Sequence, residues 1–409
     1  MVLQRDGDRG QTLLSAGLRF STNDVGYLRS HAGAAALAAV AELELTDDTR
    51  VGDIAAARAE FGDRAPVLVE TVLLRRRAAD KLSELGVSDW LFTDEALQQA
   101  TAAPVALHRA GRLAAGGGVV HDATCSIGTE LAALRVCGVT AVGSDIDPVR
   151  LSMARHNAGE SAWICRADAL RPVTRDAVLV VDPARRVEGR RRLRIDDYQP
   201  GLGSLLDAYR DREFIVKCAP GIDFGQVRRL GFDAEIEVTS YRGSVREACL
   251  WSAGLAHPGV GRRANLLDRG EQLTDIDPDD CAVRPVGQWI VDPDGAVVRS
   301  GLVRHYGARH GLWQLDPDIA YLSGDRLPAA DRGFEVLEQL VFDERRLRQA
   351  LSVLDCGSLE VLVRGVRVDP DALRKRMRLR GSRSLSVVIA RIGARTSSRA
   401  MAFVCQPSR

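Results

Sequence analysis

Residues 119–130, VVHDATCSIGTE, decide the fold class. A short apolar run leads to Asp122, small residues follow as far as Gly128, and a helical pattern begins at Thr129. A strand, a turn of small residues and a helix start in this order let a ligand approach the backbone at the carboxyl edge of a parallel sheet. The stretch therefore predicts the first strand of an α/β domain, with a ligand site at its end.

The same unit recurs further along the chain. Helical patterns separate four more short apolar runs, at residues 141–145, 162–168, 177–182 and 214–218. Two later runs, 234–239 and 247–251, flank an Arg-Gly-Ser turn and predict a hairpin. Five alternating units with a terminal hairpin predict the Rossmann-like, seven-stranded α/β layout of class I methyltransferases rather than a six-stranded parallel dehydrogenase.

Changes in pattern divide the 409 residues, which are enough for two or three domains, into four segments. We expect a helical N-terminal domain over 1–115, the methyltransferase domain over 116–256, a further module over 257–330, and a C-terminal domain over 331–409. In the last segment we predict a small α+β module. It has a helix over 334–354 and strands near 359–363, 385–389 and 401–405.

Composition excludes several classes of protein. No stretch approaches the roughly 18 to 20 apolar residues of a membrane span. Asp6 and Asp8 lie where a signal peptide would carry positive charge, so we expect a cytoplasmic protein. The eight cysteines include no pair at the spacing of a zinc site and the seven histidines are scattered. This pattern predicts free thiols and no metal.

Acidic residues at three successive strand ends form the clearest candidate site. Asp122 ends the first strand, Asp145 the second, where a carboxylate can accept both hydroxyls of a ribose, and Asp168 the third, within reach of an adenine amino group. Strand-end acids can also merely cap helices, but the spacing of the set favours a site. With carboxylates and no phosphate-loop lysine, a nucleoside carrying a sulfonium fits better than a nucleotide. We therefore predict an S-adenosylmethionine site that includes Asp122, Cys125, Gly128, Asp145, Ile146, Asp168 and Ala169. The usual Asp-x-Gly-x-Gly-x-Gly turn is incomplete, because Thr124 and Ser126 replace two glycines.

The fourth strand ends in Asp182-Pro183-Ala184-Arg185, at the position where methyltransferases hold the acceptor. Enzymes that methylate amino groups carry Asp/Asn-Pro-Pro and an aromatic residue here, and an arginine replaces that aromatic. We predict that Asp182 is catalytic. The arginines that follow suit a polyanionic substrate, although a solvated loop is the alternative. The predicted substrate-binding residues are Arg185, Arg186, Arg190, Arg191 and Arg192.

Cys218, at the end of the fifth strand, is a second candidate catalytic residue. Pyrimidine carbon-5 methyltransferases place a nucleophilic cysteine at this strand end. Glu247 of this sequence falls near the position at which they carry a carboxylate base, and Lys217 could lower the pKa of the Cys218 thiol. The alternative, a buried structural cysteine, is favoured because free cysteines are commonly buried.

Charge is unevenly distributed along the chain. Residues 331–409 contain 16 Arg and Lys against 9 Asp and Glu, whereas residues 1–115 contain 13 against 16. A basic C-terminal region suits an electrostatic partner such as nucleic acid, and the segment 374–383 concentrates these cations.

Together, these motifs resemble the bacterial class I methyltransferases that carry a C-terminal THUMP-like domain. The resemblance covers the helix at 98–110, the two strand-end motifs, a segment at 289–301 similar to the family's ferredoxin-like module, and 374–379 in the THUMP-like domain. It implies S-adenosylmethionine as cofactor and RNA, either tRNA or rRNA, as acceptor. An RNA-binding or regulatory protein with a degenerate fold and a small-molecule methyltransferase are the alternatives. The intact acids favour the enzyme, whereas the missing glycines favour the regulatory protein.

Overall fold

A computed structural model describes residues 18–159, 162–185, 195–393 and 398–408. The chain divides into two units. Unit 1 comprises residues 1–234 and 248–256, and unit 2 comprises 235–247 and 257–409. The four segments expected from the sequence are thus grouped in pairs, and neither unit is one continuous stretch of chain.

Unit 1 begins with helices that share a core with the α/β segment after them. Asn157 ties the two segments together, since its side chain accepts a hydrogen bond from the Leu91 amide and donates one to the Leu91 carbonyl, each at 2.9 Å. Ser21 and Ser30 cap the first two helices through their side chains. The helices before the first strand are α1 Thr22–Leu28, α2 His31–Ala41, α3 Arg50–Phe61, α4 Ala65–Leu82, α5 Asp94–Gln99 and α6 Ala103–Gly116.

A parallel sheet follows, with helices between most of its strands; the expected helix between β3 and β4 is absent, and the residues from 167 to 177 form turns and bends. The strands up to the hairpin are β1 Val119–Asp122, β2 Thr140–Asp145, β3 Trp163–Arg166, β4 Val178–Val181, β5 Ala184–Arg185, β6 Tyr198–Gln199, β7 Phe214–Cys218, β8 Glu235–Tyr241 and β9 Ser244–Trp251. The helices between them are α7 Thr129–Val136, α8 Pro148–Asn157, α9 Leu202–Ala208 and α10 Phe224–Arg229.

The strand order confirms the predicted fold class. In unit 1, the parallel strands lie in the order β3-β2-β1-β4-β7, and residues 248–251 of β9 pair antiparallel with β7. In unit 2, β8 and the first half of β9 form the predicted hairpin around Arg242-Gly243. A parallel sheet that ends in such an antiparallel strand is the arrangement expected of class I methyltransferases. The short strands β5 and β6 pair only with each other.

Unit 2 is built around a second sheet, in the order β13-β14-β12-β15-β18-β17-β16. Its remaining strands are β10 Arg262–Leu266, β11 Glu271–Thr274, β12 Trp289–Val291, β13 Trp313–Gln314, β14 Leu322–Gly324, β15 Gly333–Val341, β16 Cys356–Arg364, β17 Arg383–Ile392 and β18 Arg399–Pro407. Its helices are α11 Gly295–Ser300, α12 Val303–His310, α13 Glu344–Val353 and α14 Pro370–Met377. β10 pairs with β8 and β11, whereas β12 to β14 join the strands of the 331–409 segment. The 257–330 segment therefore forms no separate sheet.

One predicted element is wrong in its first half. The expected helix over 334–354 is the strand β15 followed by α13, which begins after Asp343. Apolar residues at 334, 337, 340 and 341 fit a helical period, but this stretch pairs along its length with β18. The helix α13 begins after Asp343, whose side chain caps it by accepting a hydrogen bond from the Arg346 amide. The three predicted strands after it are confirmed as β16, β17 and β18.

Within the described ranges, no helix is both long enough and apolar enough to cross a bilayer.

Candidate active site

A cavity of about 720 Å³ opens at the carboxyl edge of the parallel strands of unit 1. Four carboxylates that sequence analysis selected line it: Asp122 after β1, Asp145 after β2, Asp168 after β3 and Asp182 after β4. Parallel strands bring their carboxyl ends to one edge, so acids far apart in sequence meet here. Of the other predicted cofactor residues, Cys125, Ile146 and Ala169 also line the cavity.

The turn after β1 is held by its own backbone. The Thr124 amide donates to the Asp122 Oδ1 at 3.1 Å, and the Gly128 amide donates to the Cys125 carbonyl at 2.7 Å. Gly128 has a φ of 90°, and Ser126 has a φ of 47°. A serine thus adopts the left-handed conformation in which glycine is usual, so the loss of that glycine has not removed the turn.

Asp145 has a fixed orientation toward the cavity. Its Oδ2 accepts from the Ser126 amide at 3.0 Å, and its Oδ1 accepts from the Asp147 amide at 2.9 Å. Each carboxylate oxygen can accept a second hydrogen bond, so both stay available to a pair of hydroxyls. Beside it, the apolar side chain of Ile146 is 64 % exposed.

The third strand end presents a more open acid. Asp168 is exposed, and its Oδ1 accepts from the Leu170 amide at 2.9 Å. The neighbouring Ala169 carbonyl accepts from the Tyr209 hydroxyl at 2.7 Å, which anchors this loop to a buried ring.

Asp182 belongs to a chain of charged groups that runs into the core. The Lys217 Nζ lies 2.7 Å from the Asp182 Oδ2 and 3.9 Å from the Glu130 Oε2. Arg109, on α6, donates to both oxygens of Glu130, at 2.9 and 2.5 Å. Arg109 and Glu130 could not be recognised from the sequence as site residues, because nothing in the spacing links residue 109 to residue 217.

Burial changes the protonation of the groups at the base of the cavity. Loss of solvent, together with the negative charges of Glu130 and Asp182, raises the pKa of Asp122 to about 8, against the opposing effects of Lys217 and the Thr124 amide. Asp122 is therefore mostly protonated at neutral pH. Burial and the nearby acids raise the pKa of the Cys125 thiol well above its usual value, so Cys125 stays a neutral thiol.

Cys218 is not brought to the cavity. It is buried and absent from the lining residues, whereas its neighbour Lys217 lines the cavity. Adjacent side chains of a strand point to opposite faces, so β7 can present only one of the two. Lys217 pairs with Asp182, with its Nζ 2.7 Å from the Asp182 Oδ2. The cavity wall thus presents Lys217 rather than Cys218, and a nucleophilic role of Cys218 stays a prediction.

The predicted arginine surface is described only in part. The backbone of Arg185 pairs with Tyr198, and Arg186, Arg190, Arg191 and Arg192 lie outside the described residues. In the basic segment of unit 2, Arg376 donates to both oxygens of Glu344, at 2.8 and 2.9 Å. Lys375, Arg378 and Arg380 are exposed there.

All eight cysteines are free thiols. In the part of the chain that the structure describes, no three histidine, cysteine or acidic side chains are grouped as metal ligands.

The sheet order and the acid-lined cavity define the class I methyltransferase fold. A solved putative methyltransferase from Porphyromonas gingivalis W83 shares it, with a TM-score of 0.72 and 17 % identity over 96 % of this chain and 100 % of that one. The family model described as THUMP domain-like matches residues 331–407. Two proteins, from Mycobacterium tuberculosis strains CDC 1551 / Oshkosh and ATCC 25618 / H37Rv, are each 75 % identical over 359 residues, covering 86 % of this chain and all of theirs. Both are named as uncharacterized S-adenosylmethionine-dependent methyltransferases. The chain therefore belongs to the S-adenosylmethionine-dependent methyltransferases, and the predicted family is confirmed.

Proposed function

We propose that unit 1 binds S-adenosylmethionine in the acid-lined cavity and that the enzyme methylates RNA. The observation that carries the first part is the meeting of four strand-end carboxylates around one cavity. Its volume, about 720 Å³, lies in the range of small-molecule sites. The names of the two mycobacterial relatives support the same cofactor.

The residues present fit this cofactor. Asp145 offers two oriented acceptors for the ribose hydroxyls, Ile146 offers an exposed apolar surface for the adenine ring, and Asp168 offers an acceptor for its amino group. The lining carries five acidic side chains and two cationic ones, Arg150 and Lys217. Such a lining favours a cationic sulfonium over a phosphate.

The bound cofactor supplies an electrophilic methyl group. The protein positions the acceptor of this methyl group. Asp182 lies at the acceptor end of the cavity, and its backbone amide donates to the Thr124 Oγ1 at 2.7 Å. This contact fixes the Asp182-Pro183 segment against the turn after β1. Proximity and orientation set in this way supply a large part of the acceleration in group transfer.

Calorimetry with S-adenosylhomocysteine tests the cofactor site. We expect Asp145→Ala to weaken binding by about 1–3 kcal/mol, the value of hydrogen bonds to a charged group. Asp145→Asn, which keeps one acceptor oxygen, should lose less. Asp207→Ala removes an exposed acid paired with Arg210 outside the cavity, so it serves as the control. Equal affinity in folded Asp145→Ala and wild-type protein would refute the assignment.

RNA as the acceptor is supported by the THUMP-like match and by the exposed cations of the 374–383 segment. Purified protein, incubated with methyl-labelled cofactor and RNA from a strain that lacks the gene, should label that RNA and not RNA from the parent strain, whose sites are already methylated. Cofactor binding without any labelling would favour the regulatory alternative. Labelling of small metabolites alone would favour a small-molecule methyltransferase.

A further inference from the structure

We propose that the acceptor atom is a ribose hydroxyl oxygen of the RNA, with Asp182 taking the hydroxyl proton and Lys217 stabilising the negative charge that develops on the oxygen. The inference rests on the proposed function and adds to it the identity of the reacting atom. Three observations carry it: the chemistry of the cavity lining, the Asp182–Lys217 pair, and the anchoring of Lys217.

Among the described residues, the cavity lining holds no aromatic platform for a base. None of the 26 residues around the cavity is aromatic. The sequence from Pro183 to Asp197, which contains the undescribed segment, also has no aromatic residue. Tyr198 is buried, and its hydroxyl accepts from the Ala219 amide at 2.8 Å. Proteins that hold an unpaired base usually stack it on an aromatic side chain, at about 1–3 kcal/mol per base. A sugar hydroxyl can enter this cavity without such a platform.

The second observation is a pair of opposite charges at the acceptor end. The Lys217 Nζ and the Asp182 Oδ2 are 2.7 Å apart, and both residues line the cavity. The Asp182 side chain is 42 % exposed, whereas that of Lys217 is 10 % exposed. The carboxylate is thus open to a substrate, and the ammonium supports it from the wall.

The anchoring of Lys217 is the third observation. Glu130 lies 3.9 Å behind its Nζ, and Arg109 occupies both oxygens of Glu130 from within the core. Because Arg109 and Glu130 are almost fully buried, the ammonium has little freedom to leave the cavity wall. A fixed cation requires no reorganisation when charge develops next to it.

The charge that develops on the acceptor separates the possible reactions. A nitrogen that attacks a methyl group through its lone pair gains positive charge, which the ammonium disfavours and the Asp182 carboxylate favours, so the pair as a whole gives it little. A hydroxyl oxygen that attacks while losing its proton carries negative charge, which the ammonium favours. In the proposed step, the oxygen forms the new bond to the methyl carbon, and the carbon–sulfur bond breaks with its electron pair left on sulfur. The hydroxyl proton passes to Asp182, which later releases it to water.

The position of the label in methylated RNA tests the proposal. We expect enzymatic digestion and mass spectrometry to yield a 2′-O-methylnucleoside, and alkali to leave labelled dinucleotides, since the blocked hydroxyl cannot assist cleavage. A base-methylated nucleoside would overturn the inference and leave the proposed function intact. Failure to label any RNA would count against the proposed function itself, so the two failures are distinguishable.

Substitutions of Lys217 test its role. Lys217→Met should reduce the single-turnover rate by about 10²-fold or more, the usual cost of losing a group that stabilises developing charge. Lys217→Arg, which keeps the charge, should recover at least tenfold of that loss. Both variants should bind S-adenosylhomocysteine within about threefold of wild type by calorimetry, since the ribose and adenine contacts lie on other strands. An unchanged rate in Lys217→Met would remove Lys217 from the reaction.

A modified substrate provides a readout of binding apart from turnover. An oligonucleotide with 2′-deoxyribose at the labelled position should bind within about threefold of the parent RNA and accept no methyl group. Methylation of this oligonucleotide would exclude the ribose hydroxyl as acceptor.

Discussion

Asp122 connects the protonation of one buried carboxyl to the stability of the whole chain. In the unfolded chain, its pKa is near 3.8, and in the folded protein burial raises the pKa to about 8. Below the lower value, both states are protonated. Between the two values, the unfolded chain has released the proton and the folded protein has kept it, so the free energy of unfolding falls as the pH rises through this window. Above about pH 8, this contribution changes no further.

Asp122→Asn should remove that dependence, because an amide does not ionise and its Oδ1 can still accept from the Thr124 amide. We expect the melting temperature of Asp122→Asn to rise relative to wild type between pH 5 and pH 8, and the difference to level off above that range. Thermal denaturation in matched buffers measures it. Curves that stay parallel throughout would show that Asp122 is ionised in the folded protein.

The site residues that lie at strand ends could be predicted from the sequence, whereas those that depend on side-chain packing could not. Asp122, Asp145, Asp168 and Asp182 could be found because each follows an apolar run, and parallel strands align such positions. The partner of Lys217 could not, since the fifth strand shows lysine and cysteine side by side and only the fold decides which faces the cavity. Likewise, the left-handed conformation of Ser126 could not be predicted from a preference for glycine. In the structure, the Ser126 amide donates to the Asp145 carboxylate in this conformation.

At the level of elements, the alternation of side chains along β7 predicts the behaviour of Cys218. We expect Cys218→Ser to keep RNA methylation within about threefold of wild type, because Lys217 takes the cavity face of the strand. It should also lower stability modestly, since a hydroxyl would enter a buried site. The measurements are the transfer assay and thermal denaturation. A complex with 5-fluoropyrimidine RNA that survives denaturation would contradict this prediction, because it requires a covalent thiolate adduct.

Element types were predicted well where one period dominates and poorly where two periods fit. The five parallel strands were found to within two residues because each is a short apolar run bounded by turn or polar residues. In β15, apolar residues satisfy both a helical and an extended pattern, and pairing with β18 decides the outcome. Long-range pairing of this kind is absent from any local window of sequence.

In the whole molecule, acidic side chains are concentrated around the cavity of unit 1, and basic side chains are concentrated in the 374–383 segment of unit 2. In the proposed function, this segment contacts the RNA backbone. Replacing Lys375, Arg378 and Arg380 by alanine should weaken RNA binding and reduce the slope of log affinity against log salt by about 2. Binding of S-adenosylhomocysteine should stay unchanged. Fluorescence anisotropy from 50 to 200 mM salt, a range in which phosphate contacts have a large effect, measures the slope.

A matched triple variant in unit 1 controls for the loss of three charges. Arg29, Arg58 and Arg210 are exposed and lie outside the cavity lining, so replacing them by alanine should change the slope less. If both triple variants reduced the salt slope equally, RNA binding would depend only on the net charge of the protein and not on the 374–383 segment.

The chain leaves unit 1 after residue 234, returns to it at 248 and leaves it again after 256, and this limits where the gene can be divided. A fragment that ends at residue 234 would lack the antiparallel strand that completes the first sheet, and one that starts at 257 would lack β8, leaving one edge of β10 without its partner. During synthesis at about 5–20 residues per second, unit 1 can close only after part of unit 2 has left the ribosome. Recombination between relatives at the family boundary near residue 331 would also split the second sheet between two parents. We therefore expect that neither unit folds completely when it is expressed from a gene cut at residue 234 or 257.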